Sequence, residues 1–287
     1  VSKRILGVAA SAAAAVLIAA GIAGAAPAGV GNPAFSRVWD RQDLAVEQQI
    51  SGRSWTWGPT VSGATREAFA EGVDGQRVVQ YFDKSRMEIN DPTGDPNTAW
   101  YVTNGLLPVE LMTGRMQTGY SRFEFRGPAQ VTAIGDPGQF PTYADLLPLY
   151  QVPGTSGPNP GDVGKPATGF LNPGGKVTGF NDFAGDPATV LNDQGVARAF
   201  VDFMNNQGLV YENGRYVQSK VFDPLYVFGK PVTGAYWVKV KVGGVERPVL
   251  FQVFERRVLT YNPANEPAFR VEMGNVGQHY HQWRYGK

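Results

Sequence analysis

Apolar and polar positions alternate most clearly near the C-terminal end of the chain. Val238, Val240 and Val242 alternate with Lys239 and Lys241, the period-two pattern of a half-buried strand. Gly243-Gly244 supplies positive φ for a turn. Residues 249–254 form an apolar run broken by Gln252, Arg256-Arg257 follow, and residues 258–261 predict another strand. Residues 78–82 and 86–89 repeat that pattern. Helical spacing appears where Val196, Phe200, Phe203 and Met204 share one face, with Asp193 as cap and Gly208 at the C′ position. Phe35, Val38 and Trp39 predict a similar helix after Pro33. The expected fold is α+β, with two similar small modules, each a helix plus short antiparallel β-hairpins.

The two patterns share more than periodicity. Residues 77–89 (RVVQYFDKSRMEI) and 249–261 (VLFQVFERRVLTY) match at Gln80/Gln252, Phe82/Phe254 and Asp83/Glu255. Trp57-Gly58-Pro59-Thr60-Val61-Ser62-Gly63 precedes the first, and Phe228-Gly229-Lys230-Pro231-Val232-Thr233-Gly234 precedes the second. Val102-Thr103-Asn104-Gly105 and Val271-Glu272-Met273-Gly274 follow. Ordered matches of this kind predict one supersecondary unit used twice. Phe82 and Phe254, each beside a charged turn, are expected to anchor their modules.

Residues 1–28 read as a signal peptide: Lys3 and Arg4 precede an uncharged apolar run, residues 5–26, ending in Ala-rich cleavage sites. Retention of that run as an anchor is the other outcome its length allows. Residues 29–150 form module 1, with an insertion or strap at 108–150 that has no counterpart. The Gly/Pro-rich residues 151–179 are the linker, and residues 180–287 form module 2. The chain has no cysteine, which excludes disulfides and thiolate chemistry. Loss of Lys3 and Arg4 moves the formal charge from +1 to −1, without the basic patch that nucleic-acid binding needs. The expected location is extracytoplasmic, secreted or at the cell surface, with no membrane contact after cleavage.

The repeat cores, Gly-Pro or Gly-x-Pro followed by Gln-x-Phe-(Asp/Glu) and Val-x-x-Gly, resemble the LGFP-type repeats of bacterial envelope proteins. The chain also resembles a class of secreted, functionally uncharacterised bacterial proteins carrying VQYFDKxRMEI, VTNGLL, VYENG and FERRVLTY…GNVGQHYxxWRY. The matching segments are residues 79–89, 102–107, 210–214 and 254–285. The resemblance implies export and envelope association rather than a reaction.

Aromatic rings stack on sugars, so Trp55, Trp57, Trp100, Tyr101, Tyr236 and Trp237 are candidate ligand-binding residues, with Trp283 a further aromatic. Core packing is the competing role for each. Gln80 and Gln252, polar residues within apolar strands, either satisfy backbone groups at a bend or line a groove. His279 and His281 would put both rings on one face of an extended segment, a weak divalent-metal pattern. Asn90, Asp91, Asp95 and Asn97 read as a turn rather than a calcium loop. No nucleophile elbow, His-Glu-x-x-His or phosphate loop is present. Asp182, Asp186, Glu88, Glu110 and Glu272 are the carboxylates from which a glycosidase pair would be drawn. The expected function is non-catalytic, with no cofactor: binding of an envelope glycan or surface polymer. A structural or assembly role at the cell surface and a secreted glycosidase-type hydrolase are the alternatives.

Overall fold

The computed structural model describes residues 29–154 and 161–286, so the expected signal peptide lies outside the described residues. The fold is α+β. Helix α1 (Pro33–Glu47) starts where Asn32 accepts from Ala34 N at 2.8 Å and Pro33 fixes the first turn. It buries Phe35, Trp39 and Leu44. Strands β1 (Thr65–Ala68), β2 (Gln76–Tyr81), β3 (Arg86–Ile89) and β4 (Thr103–Asn104) then form an antiparallel meander in sequence order. Helix α2 (Leu107–Thr113), the hairpin β5 (Arg115–Gln117) and β6 (Phe123–Phe125), and helix α3 (Tyr143–Leu146) lead towards the second half.

The second half opens with β7 (Gly169–Leu171) and β8 (Val177–Gly179), followed by helix α4 (Arg198–Met204). A hairpin of β9 (Gln207–Glu212) and β10 (Arg215–Lys220) turns on Asn213-Gly214, with φ of 51° and 78°. After the short helix α5 (Pro224–Val227) come β11 (Tyr236–Val242), β12 (Val245–Val253), β13 (Val258–Tyr261), β14 (Val271–Met273) and helix α6 (Val276–Tyr285). The second sheet has the order β14-β13-β12-β11-β7-β8.

The two meanders agree in detail. Gln80 pairs with Met87, and Gln252 with Leu259. Phe82 bridges to Thr60, and Phe254 to Pro231. Each turn closes with the same bond, Phe82 N to Ser85 O and Phe254 N to Arg257 O, both 2.8 Å. Gly58 and Gly229 hold φ of 79° and 74°, and a Cβ on either would lie within 3 Å of the turn acid, Asp83 or Glu255. Phe82 and Phe254 are both buried, as their positions predict.

Three expectations change. The stretch 151–179 is not simply a linker: β7 pairs in parallel with β11 at Trp237, and Trp237 Nε1 donates to Ala167 O at 2.9 Å. Its glycines allow close approach, since a Cβ on Gly169 would lie 2.8 Å from the Tyr236 ring. Each module has a cluster of its own, around Trp57 and Phe82 in the first and Trp237 and Phe254 in the second, and a third cluster is shared. Val79 and Tyr81 of the first half pack in one cluster with Val238, Val253, Val258 and Tyr280 of the second. Residues 107–113 do have a counterpart, because α2 follows β4 as α6 follows β14. The rest of that segment is a strap to the second sheet, where Asp136 N donates to Lys241 O and Asp136 carboxylate oxygens accept from Gly243 N and Gly244 N. Finally, Asp193 caps no helix. Asn192 closes a tight turn there, accepting from Gln194 N and Val196 N, so α4 starts later, and Gly208 lies in β9.

Candidate ligand groove

Of the eight residues chosen as ligand-binding candidates, four are fully buried. Trp57 donates its indole N–H to Gln42 Oε1 and packs edge-on against Phe82 and Tyr226. Trp237 stacks on Phe183 at 4.5 Å. Gln80 donates to Gly29 O and Ser62 O and accepts from Gly31 N. Gln252 donates to Gly195 O and Thr233 O, each at 3.0 Å. Both amides therefore tie the chain before the opening helix to the meander. Trp55, Tyr101 and Tyr236 are half-buried, and Trp55 packs against Trp39 at 5.9 Å. Trp100 alone of the eight is exposed, at 48%. Trp283 is half-buried and donates to Gly127 O.

Trp100 stands on a cavity of about 750 Å³ between α1, the loop 96–102 and residues 220–226. Helical spacing puts Arg37 and Arg41 on one face of α1, towards this space. Lys220 enters from the end of β10, and Tyr226 forms part of the floor, its ring 5.3 Å from Trp100 and its hydroxyl bonded to Val102 O. Arg41 is held in place: it pairs with Glu212 at 2.9 Å and donates to the carbonyls of Lys220 and Val221. Arg37 donates to Pro96 O at 2.6 Å. Among the described residues no carboxylate pairs with Arg37 or Lys220. Asp223 lines the groove, but its carboxylate caps α5 by accepting from Leu225 N and Tyr226 N.

The second unit has a groove at the corresponding place, about 270 Å³. Ala199 and Phe203 of α4 occupy it as Ala34 and Val38 of α1 occupy the first, and Val271 corresponds to Val102. Its charges are paired: Asp202 with Arg198 at 3.2 Å, and Arg53 with Asp43 at 3.7 Å. Ala268 and Pro267 line its loop side, so it lacks a Trp100-like platform. Phe222 lines both grooves, so they adjoin there.

The carboxylates considered for hydrolysis are placed otherwise. Glu88 and Glu110 meet at Arg86, together with Glu67, in a buried network closed by Arg77 and Arg284. Burial opposes ionisation of Glu67 and Glu88, but the surrounding arginines hold both below the usual carboxylate value. Burial instead dominates at Glu110 and raises it. Tyr81 and Tyr285 donate to Glu67, and Tyr280 donates to Glu110. Neither Glu88 nor Glu110 lines the grooves. Asp182 is exposed, and Asp186 caps a turn and accepts from Tyr261 OH. Glu272 borders a cavity of about 250 Å³ with Lys84 and His279.

His279 and His281 do not form a pair. They lie on helix α6, not on an extended segment, so two residues of separation turn the rings to different faces. His279 Nδ1 meets Tyr143 OH at 3.0 Å, whereas the His281 ring packs edge-on to Tyr81. No cluster of three potential metal ligands occurs among the described residues. Asp91 and Asp95 accept from Thr93 N and Asn97 N, the bonds of tight turns. No helix among the described residues is long and apolar enough to cross a membrane.

Sequence reasoning missed Arg37, Arg41, Lys220, Phe222 and Tyr226. The i,i+4 spacing of Arg37 and Arg41 after Pro33 was the one available signal. The approach of residues 220–226 to α1 depends on tertiary packing of the β9–β10 hairpin, seen in Tyr216 OH donating to Gln48 Oε1. Comparison of the chain with protein-family models, curated proteins and solved structures finds no match.

Proposed function

We propose that this chain is an exported, non-catalytic binding protein of the cell envelope, and that the two adjoining grooves hold a glycan or related surface polymer. The observation that carries this reading is the pair of corresponding grooves meeting at Phe222, the larger one bearing the exposed Trp100 ring. Two adjoining sites favour a chain of repeated groups over a single small molecule, because the second contact is then intramolecular. A half-exposed indole beside polar side chains suits a sugar ring, with an apolar face and hydroxyl edges. The resemblance of the repeat cores to LGFP-type envelope repeats supports the same reading. So does the engagement of Glu67, Glu88 and Glu110 with arginines and tyrosines inside the fold, which leaves them structural work.

The test is sedimentation of the purified chain with insoluble cell-wall glycans, run beside reducing-sugar release. Trp100→Ala is expected to abolish retention while leaving the melting temperature within about 2 °C, since exposed side chains contribute little to stability. Retention of the variant at the wild-type level would remove Trp100 from the site. Sustained sugar release would replace the binding reading by a hydrolytic one.

A further inference from the structure

We infer that the ligand of the larger groove is acidic: a saccharide or polyol chain carrying carboxylate or phosphate groups. The inference rests on the binding reading above and adds the charge of the ligand to it. Three cations face this groove, and their surroundings differ. Arg41 is compensated by Glu212 and fixed by two carbonyls. Arg37 and Lys220 have no carboxylate partner among the described residues, and both side chains are exposed. The one acid in the lining, Asp223, is engaged by two backbone N–H groups of α5. The backbone donors leave the Asp223 charge in place, so three cations against Asp223 and Glu212 give the groove a net charge of +1, in a chain that is near neutral as a whole.

The α4 position corresponding to Arg37 is Asp202, two residues after the buried Phe200 as Arg37 is two after the buried Phe35. Asp202 is paired with Arg198, and the smaller groove has no uncompensated cation. One frame thus presents an aromatic, cationic groove on one side of Phe222 and a neutral one on the other. Arg37 is also tied to the platform, because its guanidinium donates to Pro96 O in the loop that carries Trp100. A ring on Trp100 would leave an anionic substituent within the reach of a guanidinium already held at that loop. Guanidinium groups favour carboxylate and phosphate through parallel N–H donors, and Lys220 adds a point charge.

The experiment is calorimetric titration of the full chain with three probes of matched length: an oligogalacturonate, a phosphodiester-linked glycerol oligomer and a neutral β-glucan oligomer. The expected result is binding of one or both acidic probes at least about tenfold tighter than the neutral probe, weakening as salt rises. Which acidic probe binds distinguishes carboxylate from phosphate. Arg37→Gln with Lys220→Gln should erase the preference and leave the melting temperature unchanged. Binding of the neutral probe as tightly as the acidic ones, lost in Trp100→Ala, overturns the acidic ligand and leaves the groove reading standing. Acidic binding indifferent to both the charge variant and Trp100→Ala overturns the inference and the groove reading together, as does no binding of any probe.

Discussion

Lys84 and Arg256 stand at the same place in their two turns, and each donates to the last strand of the other unit. Lys84 Nζ reaches Met273 O at 3.0 Å, and Arg256 Nε reaches Asn104 O at 3.2 Å. The neighbours extend the exchange. Lys84 also donates to Asn275 Oδ1, and Arg257 donates to Asn104 Oδ1. Each turn thus hooks the end of its partner meander, and the shared core forms beneath. Hydrogen bonds from charged donors contribute roughly 1.5–3 kcal/mol each. Lys84→Met is expected to lower the unfolding free energy by about 2 kcal/mol. Urea unfolding should remain a single transition in both proteins, because the cluster of each unit adjoins a third cluster built from residues of both. Two separated transitions in the wild type would contradict that account.

The buried phenylalanines give a second expectation. Phe82 and Phe254 are both buried, and Phe82 packs against Trp57 while Phe254 packs against Phe228, the corresponding residue of the second unit. Truncation of either to alanine should cost about 3–5 kcal/mol. Equal losses of melting temperature in the two variants would reflect their common environment. An unchanged melting temperature in either would show that the ring is not packed.

Gln80 and Gln252 allow a finer comparison. The Gln80 amide uses both ends, whereas Gln252 Oε1 is buried without a partner. Replacement by leucine removes three bonds in the first unit and two in the second, and at the second it also removes an unsatisfied oxygen. Gln80→Leu should therefore destabilise more than Gln252→Leu, by roughly 1 kcal/mol. Denaturant midpoints in the reverse order would refute the assignment of these amides as ties to the opening segments.

Arg86 sits among three buried carboxylates and over the rings of Tyr81 and Tyr280. Removing one member of such a network leaves uncompensated charge, typically costing about 3–5 kcal/mol. Arg86→Met should show that loss near neutral pH. Glu67 and Glu88 have folded values below their usual 4.5, so their contribution is present above that pH and fades as pH falls through the lowered values. The gap between wild type and variant should therefore narrow below about pH 4.5. A gap independent of pH would assign the defect to lost packing.

The sequence carried the meanders well because their information is local. Period two, the Gly-Gly turn and the matched Gln and Phe positions each restrict the chain within a few residues. Helix α1 was visible at Pro33, but its polar continuation hid a structural acid: Asp43 is buried and accepts from Thr56 N, Trp57 N and Gly58 N. Nothing local distinguishes such a residue from a solvated one. The same limit explains the candidate site. Tryptophan type pointed to the groove at Trp100 and away from it at Trp57 and Trp237, which a packed core absorbs. Glycine and proline in residues 151–179 suggested a spacer, yet they permit the close approach that seats β7 beside β11. Pairing of that strand is decided by the free edge of a distant meander, which composition does not encode.

His279 is a half-buried base on α6. Burial, aided by the Lys84 charge, lowers its pKa from 6.5 to about 4, so the folded protein holds the neutral ring against Tyr143 OH. A base with a depressed folded value contributes stability that is fully present above its unfolded value. That stability is lost as pH falls through the folded one. The window is therefore about pH 6.5 down to 4, and the gap corresponds to about 3 kcal/mol. Asp40 acts with the opposite sign: burial raises it from 3.8 to about 6, so its contribution is present below 3.8 and is lost as pH rises through 6. The total profile mixes the two, and a variant separates them. His279→Gln keeps a polar partner for Tyr143 but does not titrate. Wild-type stability should fall relative to this variant by up to about 3 kcal/mol between pH 7 and pH 4, measured by urea unfolding at each pH. A constant difference across that range would mean that the imidazole keeps an ordinary pKa and is not held neutral in the fold.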